Sequence, residues 1–248
     1  GLDKIEDAMK KENKSEDPSG EKETISPEES DVVYSPSMTR EDAIKVWTER
    51  YDFKSGKDII FYDDFEHDYI SEIPSKWKYN KGVMEVVEVS GAHRNVMSGD
   101  LGHGHPNWED EYRLPEQYTI EFDIFLADPR DNDGNNYHYN LYLYDDSYRG
   151  SKAHISIGHG TMKLYGIIDG IVPGTKKEDY YNTWNHISLS VNGNSIKGYF
   201  NEYRIFNIRL AEGKTPNLIG LWNCCLAQHR PPVFLIDNFR VAAGAHPR

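Results

Sequence analysis

Along the middle of the chain apolar and polar residues alternate one by one. Tyr118, Ile120, Phe122, Ile124 and Leu126 share one phase, and Glu121, Asp123 and Phe125 share the other. A two-residue period puts one set on the buried face of a strand and the other on its wet face. The same signal predicts strands at 59–65, 84–89, 118–126, 137–144, 153–157, 162–168, 186–191, 195–200, 218–222 and 233–241. Turn formers separate them at Asp133-Gly134, Asp169-Gly170, Pro173-Gly174 and Asn192-Gly193-Asn194, and the last of these predicts a hairpin. Many short strands with tight turns predict an all-β fold, a sandwich or jelly roll. Upstream, Thr39 with Asp42 forms a capping-box-like pair ahead of the apolar stripe Ala43, Val46 and Trp47, so 39–47 is predicted to be a short helix.

Phase also sorts the side chains of the predicted strands. With Tyr139, Leu141 and Leu143 inward, His138, Asn140, Tyr142 and Tyr144 point outward. His154 and Ser156, Lys163 and Tyr165, Ser188 and Ser190, and Lys197 and Tyr199 share outward phases. Tyrosines among polar groups on a sheet floor suit stacking on sugar rings and bonding to sugar hydroxyls. His138, Asn140, Tyr142, Tyr144, His154, Lys163, Tyr165 and Tyr199 are therefore the candidate ligand-binding residues. The solvated face of any amphipathic sheet shows the same pattern. Trp184 and Phe200 are assigned to the core, and truncating Tyr142 is expected to cost little stability.

Charge narrows the partners. A formal net charge of −13 repels nucleic-acid phosphates and anionic membrane surfaces, and argues against both. No stretch approaches the roughly 20 apolar residues of a membrane-spanning helix. Residues 1–31 hold 11 acidic and 5 basic side chains and almost nothing to bury, so 1–34 is expected to be a disordered tail or an arm for an envelope partner protein. No secretory signal is present, and the expectation is that a signal or lipid anchor has been removed ahead of Gly1. The adjacent Cys224 and Cys225 read as free thiols on opposite sides of a strand.

Candidate metal ligands are sparse. In the loop 128–136, Asp131, Asp133 and Asn135 alternate around a glycine, as hard oxygen donors for Ca²⁺ would; turn formation is the competing explanation. His103 and His105 suit Zn²⁺ or Cu²⁺ weakly and are expected in a flexible glycine-rich loop. No nucleophile elbow, phosphate loop or dinucleotide fingerprint occurs.

Three segments together resemble the concanavalin A-like, laminin G-like jelly-roll superfamily. They are Phe61-Tyr62-Asp63-Asp64-Phe65 followed by Ile73-Pro74-Ser75-Lys76-Trp77; Trp184 with the hairpin that runs to Tyr199; and Leu235-Ile236-Asp237-Asn238-Phe239-Arg240-Val241-Ala242. The stretch from Tyr51-Asp52-Phe53 through Ser55-Gly56-Lys57 to Asp63-Asp64-Phe65 is similar to the segment that introduces such a domain in OmpA-like outer-membrane proteins of Gram-negative bacteria. The resemblance implies a sandwich over 58–244, a helix and linker over 35–57, and a remnant at 245–248. It also implies a place at the outer membrane, in the periplasm or at the cell surface. Opening and closing strands often lie side by side in that superfamily, sometimes with a structural calcium, which implies Asp64 or Asp63 with Asp237 as a second Ca²⁺ pair. The peptidoglycan-binding domain of the OmpA-like proteins has no counterpart here, so its activity carries over to no residue.

Lectin-like sandwich glucanases carry Glu-x-Asp-x-x-Glu on one strand. Glu121 and Asp123 match the first two acids, and Leu126 stands where the acid/base would be. A leucine neither donates nor accepts a proton, so half of the carboxylate pair is absent. The expectation is a non-enzymatic binding or interaction module with a glycan as candidate ligand. One alternative is a structural envelope subunit without a sugar. The other is a glycan-processing enzyme that draws its acid from Glu109 or Asp110.

Overall fold

A computed structural model describes residues 51–91, 93, 95–109, 112–128, 138–145, 151–210, 215–224 and 234–244, together with Thr39. The expected tail, all but the first residue of the expected helix, Asp110, Asp131, Asp133, Asn135 and Cys225 lie outside the described residues.

Among the described residues there are thirteen strands: β1 (Asp58–Asp63), β2 (Trp77–Glu88), β3 (Asn95–Pro106), β4 (Gln117–Leu126), β5 (His138–Tyr144), β6 (Ser151–Gly158), β7 (Thr161–Leu164), β8 (Ile168–Ile171), β9 (Thr183–Asn192), β10 (Ser195–Phe200), β11 (Tyr203–Arg209), β12 (Leu218–Cys224) and β13 (Phe234–Ala243). One short 3-10 helix, Lys177–Tyr180, precedes β9. All belong to the second of the chain's two units, Glu41–Arg248.

The strands form a sandwich of two antiparallel sheets, the jelly-roll class expected from the sequence. The first sheet runs β11-β10-β9-β4-β13, with β1 along the C-terminal half of β13. The second runs β3-β12-β5-β6-β7-β8, with β2 beside β3. Hydrogen bonding is continuous between them, because the start of β3 pairs with β13 through Met97 and Ile236 while its end pairs with β12 through Gly104 and Leu221. The opening strand β1 does lie against the closing strand β13.

The apolar phase read from the sequence is the core. Tyr118, Ile120, Phe122, Ile124 and Leu126 face inward from β4, meeting Leu141 and Leu143 of β5, Ile155 and Ile157 of β6, and Ile187, Leu189 and Phe200 of the central hairpin. Each such side chain fully buried contributes about 1.5–3 kcal/mol. The hairpin turns at Gly193, whose φ of 58° is the left-handed conformation that glycine adopts without cost.

The sequence pattern misses two strands and misplaces a third. The stretch around His103 and His105 is the end of β3, paired on both sides, and no flexible loop. Its glycines hide the strand signal because they make room: a Cβ on Gly104 would lie 2.5 Å from Met84 Cε. His105 is buried, with Nδ1 3.1 Å from the Pro106 carbonyl. The other is β11, an edge strand whose side chains are half buried on both faces, so its alternation is blurred. Of the predicted strand 162–168 only the first part forms β7; the chain turns at Tyr165-Gly166-Ile167, with Gly166 at a φ of 78°, and Asp169-Gly170, expected to be the turn, lies instead inside β8, paired with Lys163 and Met162.

Candidate functional site

The sequence-predicted ligand residues separate onto two different outer faces. Asn140, Tyr142 and Tyr144 of β5, His154 of β6 and Lys163 of β7 come together on the outer face of the second sheet, with Tyr165 just beyond β7. His138 opens β5, opposite Cys224. Their rings stack in series. Centroids are 5.9 Å apart for Tyr144 and Tyr142, 4.3 Å for Tyr142 and His154, and 4.0 Å for His154 and Tyr165. His154 Nε2 donates to Asn140 Oδ1 at 2.9 Å, and burial lowers the His154 pKa, so the imidazole is held neutral. Lys163 Nζ lies 5.4 Å from the Tyr165 centroid and is paired with Asp169. In this arrangement Tyr142 and His154 are each stacked against two neighbouring rings, while Tyr165 at the end of the series is 46% exposed. Tyr142 and Tyr144 are only 9% and 6% exposed, which overturns the expectation that Tyr142 can be truncated at little cost.

Tyr199 does not join them. It lies in β10 of the first sheet, opposite Ser188 and Arg204, and it is completely buried. Its outward phase is as expected; its exposure is not, because residues 51–57 cross this face as a strap. Tyr51 and Phe53 pack on the Tyr199 ring at 5.8 and 5.3 Å, and its hydroxyl donates to Asp52 Oδ1 at 2.8 Å.

The rest of the first sheet's outer face carries a polar cluster that phase alone partly foretold. Glu121 and Asp123 point outward from β4, beside Ser188 and His186 of β9 and Arg240 and Asp237 of β13. A bulge between Asp237 and Arg240 places Asn238 in the left-handed region at a φ of 52°, which asparagine tolerates, and lets Asp237 and Arg240 both face out. His186 Nδ1 donates to Asp123 Oδ1 at 2.7 Å, and its Nε2 lies 3.8 Å from Glu121 Oε2. Burial alone would lower the His186 pKa; the bonds and charges of Asp123 and Glu121 outweigh it and raise the pKa to about 9. Asn238 Nδ2 donates to Asp123 Oδ2 at 2.8 Å. Arg240 donates to Glu121 at 2.7 Å and to the Gly56 carbonyl at 2.7 Å, and Ser55 donates to Glu121. Burial pushes both carboxylates up, but these partners hold Glu121 and Asp123 below their ordinary values.

Aromatic rings flank the cluster. His93 Nδ1 donates to Asp237 Oδ2 at 2.5 Å, and its ring stacks on Trp184 at 3.9 Å; Phe125 meets the other side of this pair at 5.7 Å. Trp184 was expected in the core. It is half exposed on the outer face instead, since it shares the phase of His186 and Ser188. Counting from Ile187 would have placed it correctly; its size argued the wrong way. Nothing local in the sequence tied His93 to this site.

The glucanase acid/base position itself carries no acid, and of the two alternative acids only Glu109 lies among the described residues. Leu126 faces the core, and Glu109 is exposed beyond the end of β3. The second Ca²⁺ pair has other partners: Asp64 Oδ1 accepts the Glu66 amide at 3.3 Å, Asp63 accepts Trp77 Nε1 at 2.9 Å and Lys76 Nζ at 3.2 Å, and Asp237 accepts from His93 and the Asn238 amide. Among the described residues no three His, Cys, Asp or Glu side chains gather as a metal site. No described helix is long and apolar enough to cross a membrane.

No family model and no curated protein matches the chain. Solved structures do resemble it. A protein of unknown function with a galectin-like fold from Bacillus subtilis is 14% identical, with a TM-score of 0.50, over 77% of this chain and 98% of that one. An endo-β-galactosidase from Clostridium perfringens that releases GlcNAcα1-4Gal is 12% identical, with a TM-score of 0.51, over 77% and 64%. The ligand-binding domain of botulinum neurotoxin serotype D, solved with N-acetylneuraminic acid, is 13% identical, with a TM-score of 0.52, over 77% of this chain and 48% of that one. At such identities the likeness is one of fold: this chain is built like galectin-like and carbohydrate-handling β-sandwiches.

Proposed function

We propose that this protein is a non-catalytic glycan-binding module that reads sugar hydroxyls on the outer face of the first sheet. The observation that carries the reading is the acid–imidazole–amide cluster of Asp123, His186 and Asn238 beside the stacked His93 and Trp184. Its carboxylates accept and its imidazolium and amide donate, which is the mixed set a polyhydroxyl ligand needs, and the adjoining rings supply apolar contact. The second sheet suits the role less well, because among the described residues it carries no counterpart of the Asp123, His186 and Asn238 cluster. Hydrolysis would need a carboxylic acid to protonate the leaving group. Here Glu121 and Asp123 are both held ionised by His186 and Arg240, and Leu126 points inward. The place at a bacterial envelope rests on the resemblance of residues 51–65 and is part of the same proposal.

A glycan array followed by titration calorimetry of the best ligand tests this. Binding should be lost in His186→Ala and Trp184→Ala and kept in Tyr165→Ala. Glycan binding that ignores His186 and Trp184, or no glycan bound at all, sinks the reading. Reducing-sugar release abolished by Glu121→Gln would restore the enzyme.

A further inference from the structure

The strap over the first sheet places one carboxylate in a ready-made pocket. Asp52 Oδ2 accepts from Lys197 Nζ at 2.8 Å and from Arg204 Nη1 at 3.1 Å, while Oδ1 accepts from the Tyr199 hydroxyl at 2.8 Å. The three donors come from β10 and β11, whose pairing sets Tyr199 directly opposite Arg204. Lys197 and Arg204 side chains are 8% and 16% exposed, against 31% for Asp52. The sheet thus holds the buried, preorganised half of the contact, and the strap supplies a replaceable half from outside any strand. Burying cations is costly without a partner anion, and Asp52 shows that a carboxylate fits this pocket.

The floor beside it is polar as well. Ser188 and Ser190 are fully buried on the same face, and Ser190 Oγ has no hydrogen-bond partner among the described residues. A buried hydroxyl without a partner is destabilising, and a ligand hydroxyl would relieve that. The strap is held to the sheet at its C-terminal end. Gly56 donates to Thr119 Oγ1 at 2.9 Å, and a Cβ there would lie 2.6 Å from the Ala243 carbonyl oxygen, so this residue is seated tightly against β13. Lys57 donates to the same carbonyl at 3.1 Å. At the other end Tyr51 is 41% exposed.

We infer that Lys197, Arg204 and Tyr199 form a carboxylate-recognising subsite in which Asp52 is the resident occupant, and that the carboxylate of a hexuronic acid residue takes its place when residues 51–54 swing out about Ser55-Gly56. The inference rests on the glycan reading above and names the sugar class: an acidic chain whose neutral rings lie over Asp123 and His186 and whose uronate reaches Lys197. Glu121 and Arg240, bonded through Ser55 to the strap, lie between the two ends of that row.

A tetrasaccharide of three glucose residues ending in a single glucuronate and a neutral glucose tetramer, each titrated into the full chain, test it. The uronate should bind Asp52→Ala about tenfold more tightly than the wild type. Adding Lys197→Met to Asp52→Ala should cancel the gain, and the neutral tetramer should not distinguish the three proteins. Hydrogen exchange on the wild type keeps the test valid if Asp52→Ala does not fold: uronate should speed exchange of the 52–54 amides and leave those of Gly56 and Lys57 unchanged. Unchanged exchange, an affinity indifferent to Asp52 or Lys197, or displacement of the strap by an Asp-containing peptide but not by uronate overturns the subsite. Neutral binding that still needs His186 would then leave the glycan reading intact. Uronate binding through Lys197 that is indifferent to His186 and Trp184 would instead sink the placement of the neutral rings and spare the pocket.

Discussion

The two outer faces of the sandwich answer the same problem with different chemistry. Outward positions on the first sheet carry Glu121, Asp123, His186, Lys197, Arg204 and Arg240, and each is held by an ion pair or a charge-assisted hydrogen bond. Those on the second carry Tyr142, Tyr144 and His154, which satisfy one another by stacking. Half-buried charges require specific partners, so the first face recruited a strap and a bulge. Rings need only area, so the second face needed neither. Alternation of polar and apolar residues is thus a statement about direction, and it leaves open what covers the residues that point out.

The sharpest way to break this contrast is to remove a cation from each face. Arg240→Ala should cost about 3 kcal/mol, because it strands the largely buried Glu121 and frees the strap at the Gly56 carbonyl. Lys163→Ala, whose partner Asp169 is exposed, should stay within about 0.5 kcal/mol. Denaturant titrations decide it, and equal costs would show that the first face is no more dependent on pairing than the second.

Tyr142→Ala should cost about 1–3 kcal/mol, since it removes two stacked contacts of about 0.5–1.5 kcal/mol each. A silent Tyr142→Ala would mean that the rings are merely adjacent. Gly56→Ala should cost about 1–3 kcal/mol, by pushing the strap off the Ala242 and Ala243 carbonyls. Amide exchange should accelerate at 52–57 and stay unchanged in β5 and β6; an unaltered strap would show that the close approach is not obligatory.

The smallest effect is one of sign. His186 has its folded pKa raised to about 9, so its contribution is complete below the unfolded value near 6.5 and is lost as pH rises through about 9. His154 has its folded pKa lowered by burial, so the second face loses stability as pH falls below about 6.5. His186→Gln should flatten the alkaline side of the pH–stability curve and His154→Gln the acid side. Solvent screens the partly exposed His186, which keeps its slope modest. Interchanged slopes would mean that the charge states of the two faces have been read the wrong way round.

Much of this molecule was legible in its residues. The phase running through Tyr118, Ile120 and Phe122, and through Ile187, Leu189 and Val191, determined the core, and Asn192-Gly193-Asn194 determined the hairpin, because period and turn chemistry act between near neighbours. The pairing of the opening and closing strands followed from their resemblance to a known sandwich. Glu121 and Asp123 were seen on one face, and Leu126 on the other. Tertiary structure alone decided what those faces became. It brought His93 to Trp184 and Asp237, laid Asp52 on Lys197, Tyr199 and Arg204, and turned Asn238 out at a bulge. It also placed Tyr199 on a different sheet from Tyr142, although the two share an outward phase. Local sequence fixes which way a side chain points; what meets it there depends on contacts between residues tens to more than a hundred positions apart, which no period records.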